Sequence, residues 1–113
     1  RSAHFARFLN DSGVICCASF VAPSNDSRDH AINVIGRGNC FVIYCNPPIE
    51  VCIKRDRSGL YASSENGKTD NVPGLSFPYQ KPREIHLELD TDKLGIDECL
   101  HRIVSLLEKN FII

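Results

Sequence analysis

The chain has 113 residues, of which 42% are hydrophobic and 24% charged, and its formal net charge is -1. This profile is typical of one globular domain and excludes a disordered chain. The charge provides no field that would draw the protein onto nucleic acid or an acidic membrane, and no apolar run could span a bilayer. We therefore expect small-molecule partners, no nucleic acid and no membrane, with any anion site formed locally.

The apolar pattern predicts alternating helices and strands. In chain order these are a helix over 2–11, a strand over 14–21, a helix within 24–36, a strand over 40–45, a helix within 46–56, a loop over 62–83, a strand over 84–89 and an amphipathic helix over 95–110. Continuous apolar runs such as VICCASFV are typical of strands covered on both faces, as in a parallel sheet. We expect the loop to be mobile over 62–77 without a ligand, because it is rich in Gly, Pro, Ser and Asn.

This alternation predicts an α/β fold with a parallel sheet. The first helix has no strand before it to cross over from, so we interpret residues 1–113 as a single partial domain, the C-terminal part of a larger one. In such sheets ligands bind beyond the carboxyl ends of the strands. The expected site therefore follows residues 20, 45 and 89.

The six cysteines are predicted to be reduced, buried thiols, because five lie in or beside apolar segments. Free thiols indicate the cytoplasm. The four histidines are dispersed without ligand spacing, so no metal site is predicted. Asp26, Arg28 and Asp29 are interpreted as a solvated helix face.

Residues 52–61 read CIKRDRSGLY, which places Lys54, Arg55 and Arg57 around Asp56. Three cations at the end of a predicted helix indicate a nearby anion. A simpler alternative is that Arg55 only interacts favourably with the negative, C-terminal end of the helix dipole. Asp56 is expected to cap the following turn rather than to take part in chemistry.

With its surroundings, this motif resembles the second half of adenylylsulfate kinase, whose pattern reads P-L-x-x-C-E-x-R-D-x-K-G-L-Y, then a charged lid, then F-T-G-I-D-x-P-Y-E-x-P. The matching positions in this sequence are Pro48, Ile49, Cys52, Arg55, Asp56, Gly59, Leu60, Tyr61, Gly74, Pro78, Tyr79 and Pro82. The likeness extends from Ala3 to about Leu107.

The resemblance implies a three-layer fold of the P-loop nucleotide kinase type. It also implies transfer of the γ-phosphoryl of ATP to the 3′-hydroxyl of adenylylsulfate, giving 3′-phosphoadenylylsulfate in sulfate assimilation. ATP and Mg²⁺ would be held by a G-x-x-x-x-G-K-S/T loop that these 113 residues do not contain. We therefore expect activity only as part of a longer protein, as a homodimer and in fusion or association with ATP sulfurylase.

Site residues carried over from the resemblance fall into two groups. Substrate contacts are expected at Val21, Ala22, Ser58, Asn71 and Val72. ATP contacts are expected at Arg55, Leu94 and Cys99, although Cys99 is equally well interpreted as a core residue.

Four positions depart from the family pattern. Ala22 stands where the family has a serine, so we assign no catalytic residue. Asn25 replaces an arginine, Val72 a phenylalanine and Ser58 a lysine. These departures keep alternatives open, namely a degenerate kinase-like domain that binds or senses 3′-phosphoadenylylsulfate, or a structural remnant without a ligand.

Overall fold

The structure of the chain is a computed structural model that describes residues 1–67, 72–110 and 112–113. Its elements are α1 (Ser2–Asp11), α2 (Asn25–Ile35), a 3-10 turn (Arg37–Asn39), β1 (Ile43–Cys45), α3 (Ile49–Arg55), α4 (Leu60–Glu65), β2 (Leu87–Leu89) and α5 (Ile96–Lys109). Helix α1 packs against α2, and α5 lies against β2. None of the described helices is long and apolar enough to cross a membrane.

The two strands form a parallel pair, which confirms the predicted α/β class. Ile43 lies opposite Leu87 and Cys45 opposite Leu89. The ladder continues past the carboxyl end of β1, where the Asn46 amide donates to the Leu89 carbonyl at 2.8 Å. Both strands are shorter than predicted, and of their side chains only Leu89 is buried, because among the described residues each strand has a neighbour along one edge alone.

The predicted strand over 14–21 is wrong for the described structure. Apart from Val14, which bonds back to Leu9, the amides and carbonyls of this segment find no hydrogen-bond partner among the described residues. Its large side chains are exposed, including Ile15 at 57% and Phe20 at 67%. An apolar run becomes a strand only when a neighbouring strand satisfies its backbone, and none of the described segments does so here.

The predicted loop over 62–83 begins inside a helix. Gly59, with a φ of +74°, provides the left-handed turn from which α4 starts, and α4 runs to Glu65. Residues 68–71, which belong to the segment 62–77 predicted to be mobile, lie outside the described part of the chain. From Val72 the chain forms a tight turn in which the Gly74 amide donates to the Phe77 carbonyl at 2.7 Å.

The core is small for the apolar content of the chain. Among the described residues, the buried apolar side chains are Ala6, Ile32, Val72, Pro82 and Leu89. The apolar stripe predicted on the last helix exists, but Ile96, Leu100 and Val104 remain 80%, 54% and 42% exposed. Contacts within the described residues therefore form only part of the hydrophobic core that a globular domain needs.

All six cysteines are free, as predicted, but they are not buried. Cys17 and Cys45 are exposed, and the other four are half-buried. The prediction of buried thiols is wrong because the apolar segments that carry them are themselves only partly covered.

Candidate functional site

A cleft of about 830 Å³ opens beside β1 and extends past its carboxyl end. One wall is the extended segment 17–22, and the floor is β1 with the Asn46–Pro48 turn. Tyr61, Gly74 and Tyr79 also line the cleft. A cleft at the carboxyl edge of a parallel pair is where α/β folds bind ligands, so this is the candidate site.

Ala22 gives the cleft an unusual backbone feature at the end of segment 17–22. Its φ is +38°, and it is the non-glycine residue with positive φ in the described part of the chain. Left-handed backbone is costly for an alanine. The Ala22 carbonyl accepts a hydrogen bond from Arg28 Nη1, which helps to hold this conformation.

Arg28 is the positive charge on the cleft wall. Besides Ala22, it donates from Nη2 to Asn25 Oδ1 at 2.8 Å and to the Gln80 carbonyl. Its Nε is buried and has no hydrogen-bond partner among the described residues. All three partners are neutral oxygens, so none of them cancels the charge of the guanidinium.

Two tyrosines extend this wall as a stack. The Arg28 guanidinium lies 5.5 Å from the centre of the Tyr79 ring, a cation–π arrangement. The rings of Tyr79 and Tyr44 stack at 6.3 Å with 9° between their planes. Burial, and then Tyr79 and Glu88, raise the pKa of Tyr44, whereas Arg28 opposes that rise. Tyr44 is therefore a neutral hydroxyl, which donates to Asn46 Oδ1 at 2.9 Å.

Asp56 organises the turn between α3 and α4. Its Oδ1 accepts from the Ser58 hydroxyl at 2.8 Å and from the Gly59 amide at 3.1 Å, and its Oδ2 accepts from the Tyr61 amide at 3.0 Å. The hydrogen bond from the Ser58 side chain is the main cause that lowers the pKa of Asp56. This agrees with the expectation that Asp56 caps the turn.

A second cluster lies at the loop that follows β2. Arg55 Nη2 donates to the Thr91 carbonyl at 2.9 Å, which brings the end of α3 against this loop. The same loop contains Leu94, whose amide bonds to the Asp90 carbonyl at 2.9 Å. Partial burial, followed by the neighbouring Cys99, raises the pKa of Cys45 at the end of β1.

The expected site residues fall into separate places. Val21 and Ala22 line the cleft, while Arg55, Leu94 and Cys99 are on or beside the loop after β2. Ser58 is exposed but its hydroxyl is engaged by Asp56.

Two of the expected substrate contacts differ from the rest. The Val72 side chain is fully buried, so contact with a substrate requires the turn that carries it to open. Asn71 lies outside the described residues.

Sequence reasoning missed Arg28, which is half-buried in the cleft wall and not on a solvated face. A signal was available: Asn25 and Arg28 are three residues apart on a helix that starts at Ser24, so their side chains share one face. Asp26 is exposed and Asp29 is half-buried, and both pair with Arg83, at 4.0 and 2.7 Å.

The described residues contain no cluster of three or more His, Cys, Asp or Glu side chains that could hold a metal ion. The side chains of the cleft do not therefore fit Mg²⁺, which the resemblance assigns to the phosphate-binding loop.

The parallel α/β arrangement, with helices between the strands and a cleft at their carboxyl edge, is consistent with the P-loop nucleotide kinase type of fold. Residues 1–90 match the family described as Adenylylsulphate kinase. The chain belongs to this family.

Individual relatives agree with the family match. The chain is 37% identical to an adenylyl-sulfate kinase of Bacteroides thetaiotaomicron, over 95% of this chain and 53% of that protein. It is 41% identical to a protein of Rhodopirellula baltica named bifunctional enzyme CysN/CysC, over 99% of this chain and 18% of that protein. The chain thus spans about half the length of the adenylyl-sulfate kinase that it matches.

A solved structure has the same fold. It is that of the Mycobacterium tuberculosis APS kinase CysC in complex with AMPPNP and APS, with a TM-score of 0.86 and 30% sequence identity. The match covers 94% of this chain and 62% of the other. That protein therefore binds an ATP analogue and adenylylsulfate on a fold that this chain shares over most of its length.

Proposed function

We propose that this chain provides the adenylylsulfate side of an ATP-dependent adenylylsulfate kinase and acts within a longer polypeptide. The observation that carries the proposal is the cleft at the carboxyl end of β1, whose wall holds both Ala22 and the cation Arg28. Adenylylsulfate is an anion with an aromatic base, and a cleft with an uncancelled guanidinium and tyrosine rings suits both parts.

In the proposed reaction, the 3′-hydroxyl oxygen of adenylylsulfate bonds to the γ-phosphorus of ATP. The bond from that phosphorus to the β,γ-bridging oxygen breaks, ADP leaves, and the hydroxyl proton passes to solvent. Enzymes of this type act mainly by positioning and charge stabilisation. The described residues of this chain would bind and orient, while the phosphate-binding loop and Mg²⁺ would come from outside these 113 residues.

Each predicted contact has a place in this proposal. The backbone of Val21 and Ala22 would border the sulfonucleotide, with Ser58, Asn71 and Val72 as further substrate contacts. Arg55, Leu94 and Cys99 would meet ATP at the loop after β2.

The proposed cellular setting is the cytoplasm. Six free thiols suit a reducing compartment such as the cytoplasm. Dimer formation and association with ATP sulfurylase follow from the family resemblance alone.

A second function is favoured by one observation, the methyl group of Ala22 where the family has a serine. Without that hydroxyl, the cleft could bind 3′-phosphoadenylylsulfate and carry out no transfer. The chain would then be a binding or sensing domain.

Transfer can be measured on a joined polypeptide. In it, this chain follows the half of the Bacteroides thetaiotaomicron relative that it does not cover. We expect label from radiolabelled ATP to appear in 3′-phosphoadenylylsulfate when adenylylsulfate is supplied. Binding of 3′-phosphoadenylylsulfate without any transfer would support the sensing domain instead. If the polypeptide shows neither binding nor transfer, the chain is a structural remnant.

The ATP side is tested by calorimetry on the joined polypeptide, comparing Arg55→Ala with Lys54→Ala. The two residues are adjacent at the end of α3 and both are exposed, so they form a matched pair. A lost charge-assisted hydrogen bond of roughly 1.5–3 kcal/mol weakens ATP binding about tenfold or more, and only Arg55→Ala should show this. Equal affinities for Arg55→Ala and the unsubstituted polypeptide would leave Arg55 as a helix-terminal cation bonded to Thr91.

A further inference from the structure

A hydrogen-bond network joins the first turn of α2 to the segment that carries Tyr79. The Asn25 amide donates to Gln80 Oε1 at 2.7 Å, and Asn25 Oδ1 accepts from the Arg83 amide at 3.1 Å. The Gln80 amide donates to the Pro23 carbonyl at 2.9 Å. Segments 22–25 and 79–83 are thereby connected through backbone and side-chain groups together.

Arg28 crosses the same gap. From α2, Arg28 donates to the carbonyl of Ala22 on one side and to the carbonyl of Gln80 on the other. Arg28 Nη2 also donates to Asn25 Oδ1. We call Asn25, Arg28 and Gln80 the latch. The latch connects Ala22, with its left-handed backbone, to the segment of Tyr79, whose ring lies under the guanidinium, and both residues line the cleft.

The amide side chain of Asn25 is chemically suited to this place. One carboxamide oxygen has two lone pairs and accepts from both Arg28 and the Arg83 amide. An arginine, which the family pattern has at this position, has donors only and could accept neither bond. An aspartate could accept both but would pair with the guanidinium as an ion.

We propose that Asn25 is a positioning residue that, through Arg28 and Gln80, sets the backbone of Ala22 and the ring of Tyr79 for the anionic substrate. The identity of the substrate in this proposal rests on the proposed function, whereas the hydrogen bonds of the latch do not depend on it. The latch belongs to this chain's own residues, because it depends on the asparagine that replaces the expected arginine.

The geometry is tested first, without a ligand, by hydrogen exchange on the joined polypeptide. Asn25→Ala is expected to speed exchange of the Asn25, Gln80 and Arg83 amides, with both segments affected together. Asn25→Asp keeps both acceptor bonds and should restore protection. Asn25→Arg should behave like Asn25→Ala.

Arg83→Ala is the matched control, because it removes the ion pair with Asp29 and leaves the Arg83 amide on Asn25. It should leave exchange of segment 22–25 unchanged. The latch is overturned if the unsubstituted chain shows no protection at these amides, or if Asn25→Ala changes neither segment.

The substrate effect is tested next on the joined polypeptide. Loss of a hydrogen bond that holds a charged group should raise KM for adenylylsulfate about tenfold in Asn25→Ala, with KM for ATP unchanged. A general structural defect would raise both constants, and that result would overturn the positioning role. If the unsubstituted joined polypeptide neither binds adenylylsulfate nor transfers phosphate, the proposed function fails while the exchange result still decides the latch.

Discussion

Strands β1 and β2 and the segment 14–21 are all predicted from the sequence to be strands, but they differ in what their backbones contact. The strands satisfy one another in a parallel pair, and Leu89 at the end of β2 is 2% exposed. Segment 14–21 has no such neighbour among the described residues, and Val21 at its end is 59% exposed. Apolar sequence alone is therefore not enough to bury a segment, because the backbone polar groups need partners as well.

This comparison predicts where substitutions will be felt. Leu89→Ala should lower the free energy of unfolding by about 2–5 kcal/mol, because it leaves a cavity beneath the strand pair. Denaturant unfolding of the 113-residue chain measures the change. Leu100→Ala is the matched control, since Leu100 is 54% exposed on α5, and it should have little effect. Similar losses for both leucines would contradict the contrast between the paired and unpaired regions.

The turn at Asp56 is a third kind of region, held by one carboxylate without deep burial. Its pKa in the folded chain lies below the ordinary 3.8, so its hydrogen bonds contribute fully above that value and are lost as pH falls through the lowered pKa. Asp56→Asn cannot accept at both oxygens and should be less stable than the unsubstituted chain at neutral pH.

Denaturant midpoints measured across acidic pH test this expectation. The difference between Asp56→Asn and the unsubstituted chain should shrink as the pH falls below about 3.8, the ordinary value. Asp92→Asn, which removes an exposed carboxylate in the loop after β2, is the control for net charge. A difference that stays constant with pH would show that Asp56 acts by shape and not by charge.

At the end of the unpaired segment, Ala22→Gly should raise stability by up to about 1 kcal/mol. Left-handed backbone costs an alanine roughly 1–2 kcal/mol, and glycine removes this strain. Part of the gain is lost again, because glycine increases the conformational entropy of the unfolded chain. Thermal unfolding measures the difference. Ala18→Gly, in the same segment without positive φ, should not be stabilising, and a loss of stability in Ala22→Gly would show that the strain is absent.

The smallest effect is expected within the unpaired segment itself. Ile15→Ala should change the free energy of unfolding by no more than about 0.5 kcal/mol, because the side chain is already exposed to solvent. A loss comparable with that of Leu89→Ala would break the comparison, since it would mean that segment 14–21 packs in solution.

Much of the fold could be predicted because it depends on local signals. Ser24 and Gly36 mark the two ends of α2, and Asp56 marks the turn after α3, although α4, which follows this turn, is not predicted. The unpaired state of 14–21 could not be predicted, because pairing depends on groups distant in sequence.

The candidate site divides in the same way. The motif around Arg55 identified the family, whereas the role of Arg28 depends on Gln80, which lies 52 residues away. The sequence shows which residue types are present at positions 28 and 80, but it does not show that these two residues are in contact.

The aromatic composition of the chain has a spectroscopic consequence. There is no tryptophan, and all three tyrosines, Tyr44, Tyr61 and Tyr79, line the cleft. Near-ultraviolet circular dichroism and intrinsic emission of this protein therefore originate mainly at one place. Because two of the rings are stacked nearly parallel, their coupled transitions change sign and intensity with small rotations. The protein has a built-in optical reporter, so that occupancy of the cleft is observable in an unlabelled sample.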